Sequence, residues 1–346
     1  MPRRLWVFLG VLLAALGLTC ALLAWTFSNL APLSGGFRGR AVNAALVGGL
    51  LFTAGTTLTL TMLVRKVRSW KTSFLYAAAL PPLVGWCLFG TLFYLEQDRL
   101  LFNPRGLSEA RYAVITREYP RAQEVHITVG EHTLHGWLLP AALADAPTPL
   151  ILVFYGQGGE ASRYLTLAER VPEAAWAFVN YRGYGWSTGF PSERAFFTDA
   201  VAVYDYFYTH PLVDADRIVA LGGSLGTGVA AYLAAQRALR GVVLFSPYDS
   251  ISGGVARDLI PLLPTSWLMH NHFHAAQFAR NASAPALAVI GEADAVIRPE
   301  RSLALMEAWA QPAQTFVIPD GTHYSIYDEE ASWNAVRAFL ADLGII

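Results

Sequence analysis

Ile218-Val219-Ala220-Leu221-Gly222-Gly223-Ser224-Leu225-Gly226-Thr227-Gly228-Val229-Ala230-Ala231-Tyr232 decides how the rest of the chain is read. An apolar run of strand length meets a glycine-flanked serine and continues as helix-forming residues, so the stretch reads as strand, sharp turn, helix. Gly222-Gly223-Ser224-Leu225-Gly226 fits the G-x-S-x-G nucleophile elbow, in which a strained turn holds the serine oxygen above the sheet. A side chain at Gly222 or Gly226 would collide where strand and departing helix pass each other. The helix that follows also aims free N–H groups and a partial positive charge at the same place, which suits an oxyanion. Taken alone, the pattern also fits a glycine-rich strand-to-helix loop in another α/β protein, so its surroundings have to decide.

Downstream of Ser224 the surroundings supply a carboxylate and a histidine. A serine hydroxyl is too weak an acid to attack a carbonyl unaided; a histidine must take its proton and a carboxylate must orient that histidine. Asp294 follows the apolar run ending at Gly291, and His323 follows the one ending at Ile318. Each of the three residues thus sits just past a different predicted strand, where open α/β sheets gather their sites. Asp199, Asp249 and Asp320 are the competing carboxylates, but none lies after the seventh strand. An oxyanion hole needs the N–H of the residue after the nucleophile, Leu225, and one from the loop after the third strand. That loop is Phe154-Tyr155-Gly156-Gln157-Gly158-Gly159-Glu160, and Gln157 is the expected second donor.

The chain of 346 residues is 54% hydrophobic, more apolar than an ordinary soluble enzyme. Residues 5–27, 41–64 and 73–95 are uncharged runs, each longer than the roughly 20 residues that span a hydrocarbon core of about 30 Å, and they predict three transmembrane helices. Arg3 and Arg4 make a signal peptide the competing reading of the first run, but no small-x-small site closes it and two further runs follow. Pro81-Pro82 is expected to kink the third helix. Residues 1–95 are therefore read as a membrane domain and 96–346 as a catalytic domain.

Charge divides the chain at the same place. Eight of the 25 basic residues precede Glu96 and none of the 26 acidic ones does, so the remainder is acidic. It lacks the basic footprint of a nucleic-acid binder. Lys66 and Lys71 are the only lysines, so the catalytic part has none for a Schiff base or a Walker loop. Cys20 and Cys87 lie in apolar runs, which implies neither a disulfide framework nor a thiolate zinc site. No cofactor is expected. Arg3, Arg4, Arg65, Lys66, Arg68 and Lys71 would lie on one side of a three-span protein and Arg38, Arg40, Arg99 and Arg105 on the other. Six against four places the catalytic domain outside the cytoplasm, as in a bacterial inner-membrane protein.

Beyond Glu96, strand-length runs near Val125–Val129, Gly136–Leu139, Leu150–Tyr155, Ala177–Tyr181, Ile218–Gly222, Val242–Phe245, Leu287–Gly291 and Thr315–Ile318 alternate with stretches of helix length, which predicts a mostly parallel α/β sheet. About 250–284 is longer than a strand connection needs and reads as an inserted lid. Its apolar residues, Leu263, Trp267 and Met269 among them, form either lid core or, with Tyr248, a wall against the substrate. His270, His272 and His274 alternate as metal ligands do, but without a nearby carboxylate they read as polar or interfacial residues, and no metal is expected. Arg182 and Glu193 read as structural.

With these motifs the chain from about Leu100 onward resembles the α/β-hydrolase superfamily, in particular membrane-tethered serine hydrolases similar to depalmitoylase-like and serine-aminopeptidase-like members. Leu100-Leu101-Phe102-Asn103-Pro104 resembles that family's lead-in from its membrane anchor. Asn180-Tyr181-Arg182-Gly183-Tyr184-Gly185-Trp186-Ser187 resembles its segment after the fourth strand, and Ser246-Pro247-Tyr248-Asp249-Ser250 the one after the sixth. Tyr155-Gly156-Gln157 departs from the usual His-Gly-Asn, which bears on loop packing more than on a backbone donor. The resemblance implies an eight-stranded α/β-hydrolase fold and hydrolysis of an ester, thioester or amide through an acyl-enzyme on Ser224; the uncharged runs and the Leu, Trp and Met of the lid predict a lipid-like or acylated substrate. A non-catalytic binding module of a membrane complex, and an acyltransferase using the same residues, are the alternatives.

Overall fold

Residues 70–142 and 147–346 are described by a computed structural model. In chain order the helices and strands are α1 (Trp70–Phe102), α2 (Glu109–Glu118), β1 (Gln123–Val129), β2 (His132–Leu139), β3 (Thr148–Phe154), β4 (Ala175–Val179), α3 (Glu193–Tyr208), β5 (Val213–Gly223), α4 (Leu225–Gln236) and β6 (Gly241–Phe245). The short helices α5 (Ala256–Leu259), α6 (Thr265–Leu268) and α7 (Ala275–Ala279) follow, and then β7 (Ala286–Gly291), α8 (Pro299–Glu307), β8 (Ala313–Ile318) and α9 (Glu330–Asp342). The eight strands form one sheet in the order β1-β2-β4-β3-β5-β6-β7-β8. β1 and β2 join antiparallel at one edge, and every pairing from β4 to β8 is parallel.

Parallel strands need crossovers, and helices in the crossovers cover both sheet faces. Hence β3, β6, β7 and the second half of β5 from Ile218 are apolar at nearly every position instead of alternating, with Ile218, Val219, Ala220, Val242, Leu244 and Ala288 fully buried. α4 is buried almost all round, which is why Gly228, Ala230, Ala231 and Ala234 occur where a surface helix would carry polar residues. α3 lays Phe197 flat against Tyr232 of α4 at 4.3 Å between ring centroids, and Phe278 of α7 meets both edge-on. This aromatic group fixes the helix that begins at Ser224. The outer strands differ: β8 is mostly exposed and β1 alternates, as strands with one covered face do.

The described residues fall into two compact units, one holding those up to Leu100 together with Leu259–Pro264, the other Leu101–Asp258 with Thr265–Ile346. In the first, the Trp86 indole donates to the Leu262 carbonyl at 2.7 Å, and Leu83, Leu88, Leu92 and Leu95 are exposed. The expected membrane runs 5–27 and 41–64 lie outside the described residues. Run 73–95 falls in α1, which continues as helix through Pro81-Pro82. Among the described residues no helix is long and apolar enough to cross a membrane.

Candidate active site

β5 ends at Gly223 and α4 begins at Leu225, leaving one residue to reverse direction. Ser224 makes the turn at φ 49° and ψ −119°, in the region that costs an L-residue steric strain. The turn closes because its neighbours lack side chains. A Cβ on Gly226 would sit 1.9 Å from the Phe154 carbonyl oxygen, and one on Gly222 would sit 2.8 Å from the Gly226 oxygen. The Ser224 N–H donates to the Phe245 carbonyl at the end of β6 at 2.9 Å, tying the turn to the neighbouring strand.

The loops after β7 and β8 bring the other two residues to it. A Cβ on Gly291 would meet the Gly321 carbonyl at 2.4 Å, so the bare glycine lets the loop carrying His323 cross above the end of β7. His323 Nε2 lies 3.0 Å from Ser224 Oγ, and His323 Nδ1 lies 2.8 Å from Asp294 Oδ2. Asp294 is 4% exposed and every lone-pair direction is used: Oδ1 accepts from the Val296 and Ile297 N–H groups, each at 2.8 Å, and Oδ2 accepts from Ser246 Oγ at 2.7 Å as well as from His323. Burial pushes this carboxyl up, but the hydrogen bond and charge of His323, with the Ile297 and Ser246 donors, outweigh burial and hold it below its ordinary value. It is therefore an ionised acceptor opposite the imidazole.

The glycine loop after β3 lies against the serine. A Cβ on Gly156 would be 3.2 Å from Ser224 Cβ and 3.8 Å from its Oγ, close enough to obstruct an incoming carbonyl. Leu225 opens α4, so its N–H belongs to the first turn, which has no acceptor within the helix. Gln157 follows Gly156 in the same loop. The lead-in segment supports this loop from beneath: the Phe102 carbonyl accepts the Gly158 N–H at 3.2 Å and the Tyr184 hydroxyl. Tyr155 opens this loop, and its hydroxyl donates to Asn180 Oδ1 at 3.1 Å.

A family model described as Serine hydrolase (FSH1) matches residues 218–325, the stretch that contains Ser224, Asp294 and His323. The YfhR protein of Salmonella typhi is 30% identical over 224 residues, covering 60% of this chain and 76% of that protein. The chain belongs to the α/β-hydrolase superfamily. The hydrolase is also 27% identical over 289 residues to a membrane protein of Saccharomyces cerevisiae, covering 80% of this chain and 99% of the yeast protein. Its fold matches that of an esterase of Pyrococcus furiosus with a TM-score of 0.55 at 18% identity, over 69% of this chain and 98% of that one.

The competing carboxylates of the hydrolase are engaged elsewhere. Asp199 accepts three close bonds from Arg182, Asp249 pairs with Arg301 at 3.1 Å, and Asp320 is an exposed turn residue at φ 55°. Glu193 accepts from the His272 and Phe273 N–H groups at 2.6 and 2.9 Å. His272 and His274 stack in parallel, their Nδ1 atoms at Ser252 and Ser250.

The four residues named for a substrate wall differ in their surroundings. Tyr248 is fully buried behind α4, with its hydroxyl donating to the Leu225 carbonyl at 3.1 Å, and a Cβ on Gly228 would strike that hydroxyl. Tyr248 therefore braces the helix that carries the nucleophile; its aromatic character suggested a pocket lining, but its hydroxyl needed a buried acceptor. Leu263 and Met269 are buried and Trp267 is 82% exposed.

Two residues escaped the sequence reading. Ser246 touches the acid directly, and the only signal for it is its place at the end of β6. Asn180, at the end of β4, takes the Tyr155 hydroxyl and the Ala161 N–H on one oxygen and thereby brackets the glycine loop at both ends. Its Nδ2 must then face His135 Nδ1, at 3.4 Å, which places the His135 proton on Nε2 for donation to Glu124 Oε1 at 3.0 Å. Glu124, His126 and His135 bring their donor atoms within 4.8 Å of one another. That tautomer engages the nitrogen a metal would need, so the group reads as a hydrogen-bonded network completed by the Tyr112 hydroxyl on Glu124 Oε2.

Proposed function

We propose that this α/β hydrolase is a serine esterase or thioesterase that works through an acyl-enzyme on Ser224. The observation that carries the proposal is the unbroken hydrogen-bond chain from Ser224 Oγ through His323 to an ionised, fully engaged Asp294. Ser224 Oγ attacks the substrate carbonyl while His323 Nε2 takes its proton, and Asp294 holds the ring in the tautomer whose Nε2 lone pair faces the serine. Negative charge developing on the carbonyl oxygen meets the N–H groups of Leu225 and Gln157. His323 then returns the proton to the leaving oxygen or sulfur as that bond breaks. Water, deprotonated by the same imidazole, attacks the acyl-enzyme and releases the acid and the free serine.

The substrate class is a lipid-like or acylated molecule met at a membrane. Supporting this are the uncharged runs 5–27, 41–64 and 73–95, the exposed leucines of α1 and the yeast relative named as a membrane protein. The charges flanking those runs favour a catalytic domain outside the cytoplasm. Alkaline phosphatase and cytoplasmic fluorescent reporters fused after Ile346 report the side: an active phosphatase with a dark fluorescent fusion supports the orientation, and the reverse pattern rejects it.

The substrate test is a series of nitrophenyl esters and matching thioesters from acetyl to dodecanoyl. Burial of each methylene is worth about 0.8 kcal/mol, so kcat/KM should rise about fourfold per methylene until the acyl site is full. A strict preference for acetyl or for peptide amides rejects this substrate class.

A further inference from the structure

β6 contributes no member of the Ser224, His323, Asp294 set, yet its end touches two of them. The Phe245 carbonyl accepts the Ser224 N–H at 2.9 Å, and the next residue, Ser246, places its Oγ 2.7 Å from Asp294 Oδ2. Ser246 has no exposed surface and stands at φ 47°, in the left-handed region that a non-glycine residue enters only under strain. Its position before Pro247 adds to that strain, because a following proline favours extended backbone. Both neighbours hold it there: its own N–H donates to the Val289 carbonyl at 2.9 Å, and the Pro247 carbonyl accepts the Ser302 hydroxyl at 2.6 Å. A glycine would make this turn at lower cost, so a strained serine calls for a use of the hydroxyl.

From this arrangement we infer that Ser246 is a positioning residue of the hydrolytic site, its hydroxyl fixing the Asp294 oxygen that binds His323 and limiting how tightly that oxygen holds the protonated ring. The inference rests on the acyl-enzyme reading above. An ionised carboxylate can only accept, so the Ser246 hydroxyl is the donor and is committed to Oδ2. Oδ1 is held by the Val296 and Ile297 N–H groups, but among the described residues Oδ2 has only Ser246 and His323. Without the hydroxyl, Oδ2 keeps one partner. The carboxylate can then swing about the Oδ1 anchor, and its undispersed charge binds the imidazolium more strongly. The other titratable groups bearing on this carboxylate are Tyr324 and Tyr327, whose phenols burial holds above their ordinary value, so they stay neutral and add no charge beside it.

Ser246→Gly tests the role because it removes the hydroxyl and relieves the backbone at once. A residue that merely made the turn would leave Ser246→Gly equal to the parent in rate and at least equal in thermal stability. As a positioning residue it should give a kcat reduced by about tenfold, the scale of one lost charge-assisted hydrogen bond, with KM little changed. The acid limb of its kcat/KM profile should move to higher pH, a readout that a packing defect does not shift in that direction. Ser246→Ala, which keeps the strain, should reproduce both kinetic changes and melt below Ser246→Gly. A fluorophosphonate probe is applied in parallel to the full-length protein and to Ser224→Ala. If Ser224→Ala labels like the parent, the acyl-enzyme reading itself fails. If only the parent labels, but Ser246→Gly matches it in kcat and in acid limb, the role of Ser246 is overturned and the reading stands.

Discussion

Asp294→Asn should nearly abolish turnover while leaving the fold intact, and the hydrogen bonds around the carboxylate say why. Oδ1 receives two backbone N–H groups at 2.8 Å, neither of which can face an amide NH₂. The asparagine oxygen must therefore take the Oδ1 place and its nitrogen the Oδ2 place. There the NH₂ can donate to His323 Nδ1 and to Ser246 Oγ, which lie 2.8 and 2.7 Å from the present oxygen. All four contacts keep a partner and only the Ser246 hydroxyl proton loses its acceptor, so the fold should hold at a cost of about 1–3 kcal/mol. An imidazole that accepts at Nδ1 must, however, carry its proton on Nε2, and Nε2 then donates to Ser224 Oγ instead of taking its proton. The wrong tautomer in a Ser-His-Asp arrangement costs about 10⁴-fold in kcat, or about 5.4 kcal/mol of transition-state stabilisation. Nitrophenyl ester hydrolysis measures the loss, and a melting curve verifies the fold. Turnover within about tenfold of the parent in a folded variant would refute the role given to Asp294.

The remaining expectations concern the scaffold. Gly226→Ala puts a methyl 1.9 Å from a strand carbonyl and should cost more than about 3 kcal/mol in denaturant unfolding or prevent folding, whereas Gly130→Ala, at φ 61° with open space around it, should cost only about 1–2 kcal/mol. Arg182→Met strands the Asp199 carboxylate, 2% exposed, and should cost about 3–5 kcal/mol in the same assay, most of which Arg182→Met with Asp199→Asn recovers. Burial lowers the proton affinity of His135 below its ordinary value of 6.5, a fall that Glu124 opposes. The unfolded chain therefore binds a proton that the folded chain does not, and stability should fall as pH drops below 6.5; His135→Gln should flatten that slope in urea titrations between pH 5 and 7.5.

The fold was legible where burial is uniform. β3, β6 and β7 lie between helix layers, so their apolar runs marked them to within two residues at either end. β5 begins at Val213, five residues before the apolar run at Ile218, because Asp214, Asp216 and Arg217 lie toward the surface and carry no hydrophobic signal. Pairing of Thr148 with Val213, across an irregularity in the ladder, extends the strand there, and only the partner strand reveals it. In the site, Ser224, Asp294 and His323 could be read because each lies just past an apolar strand in a fixed chain order. Ser246 and Asn180 lie past strands as well. A serine or asparagine at a strand end has many local uses, however, and the partners here lie 48 residues from Ser246 and 25 and 19 residues from Asn180 in the chain. Tyr248 was ambiguous for the opposite reason: aromatic residues suit pockets and cores alike, and its bond to the Leu225 carbonyl, 23 residues away in the chain, leaves no mark in the sequence.

The claim that Ser224 is the nucleophile of this hydrolase has a direct measurement. The full-length protein in detergent, treated with a fluorophosphonate probe and digested, should carry the label on the peptide containing Gly222-Gly223-Ser224-Leu225-Gly226. Ser224→Ala should take up none, and His323→Ala should label at least a hundredfold more slowly while keeping its fold. A label on any other residue of the parent, or undiminished labelling of Ser224→Ala, would contradict the account.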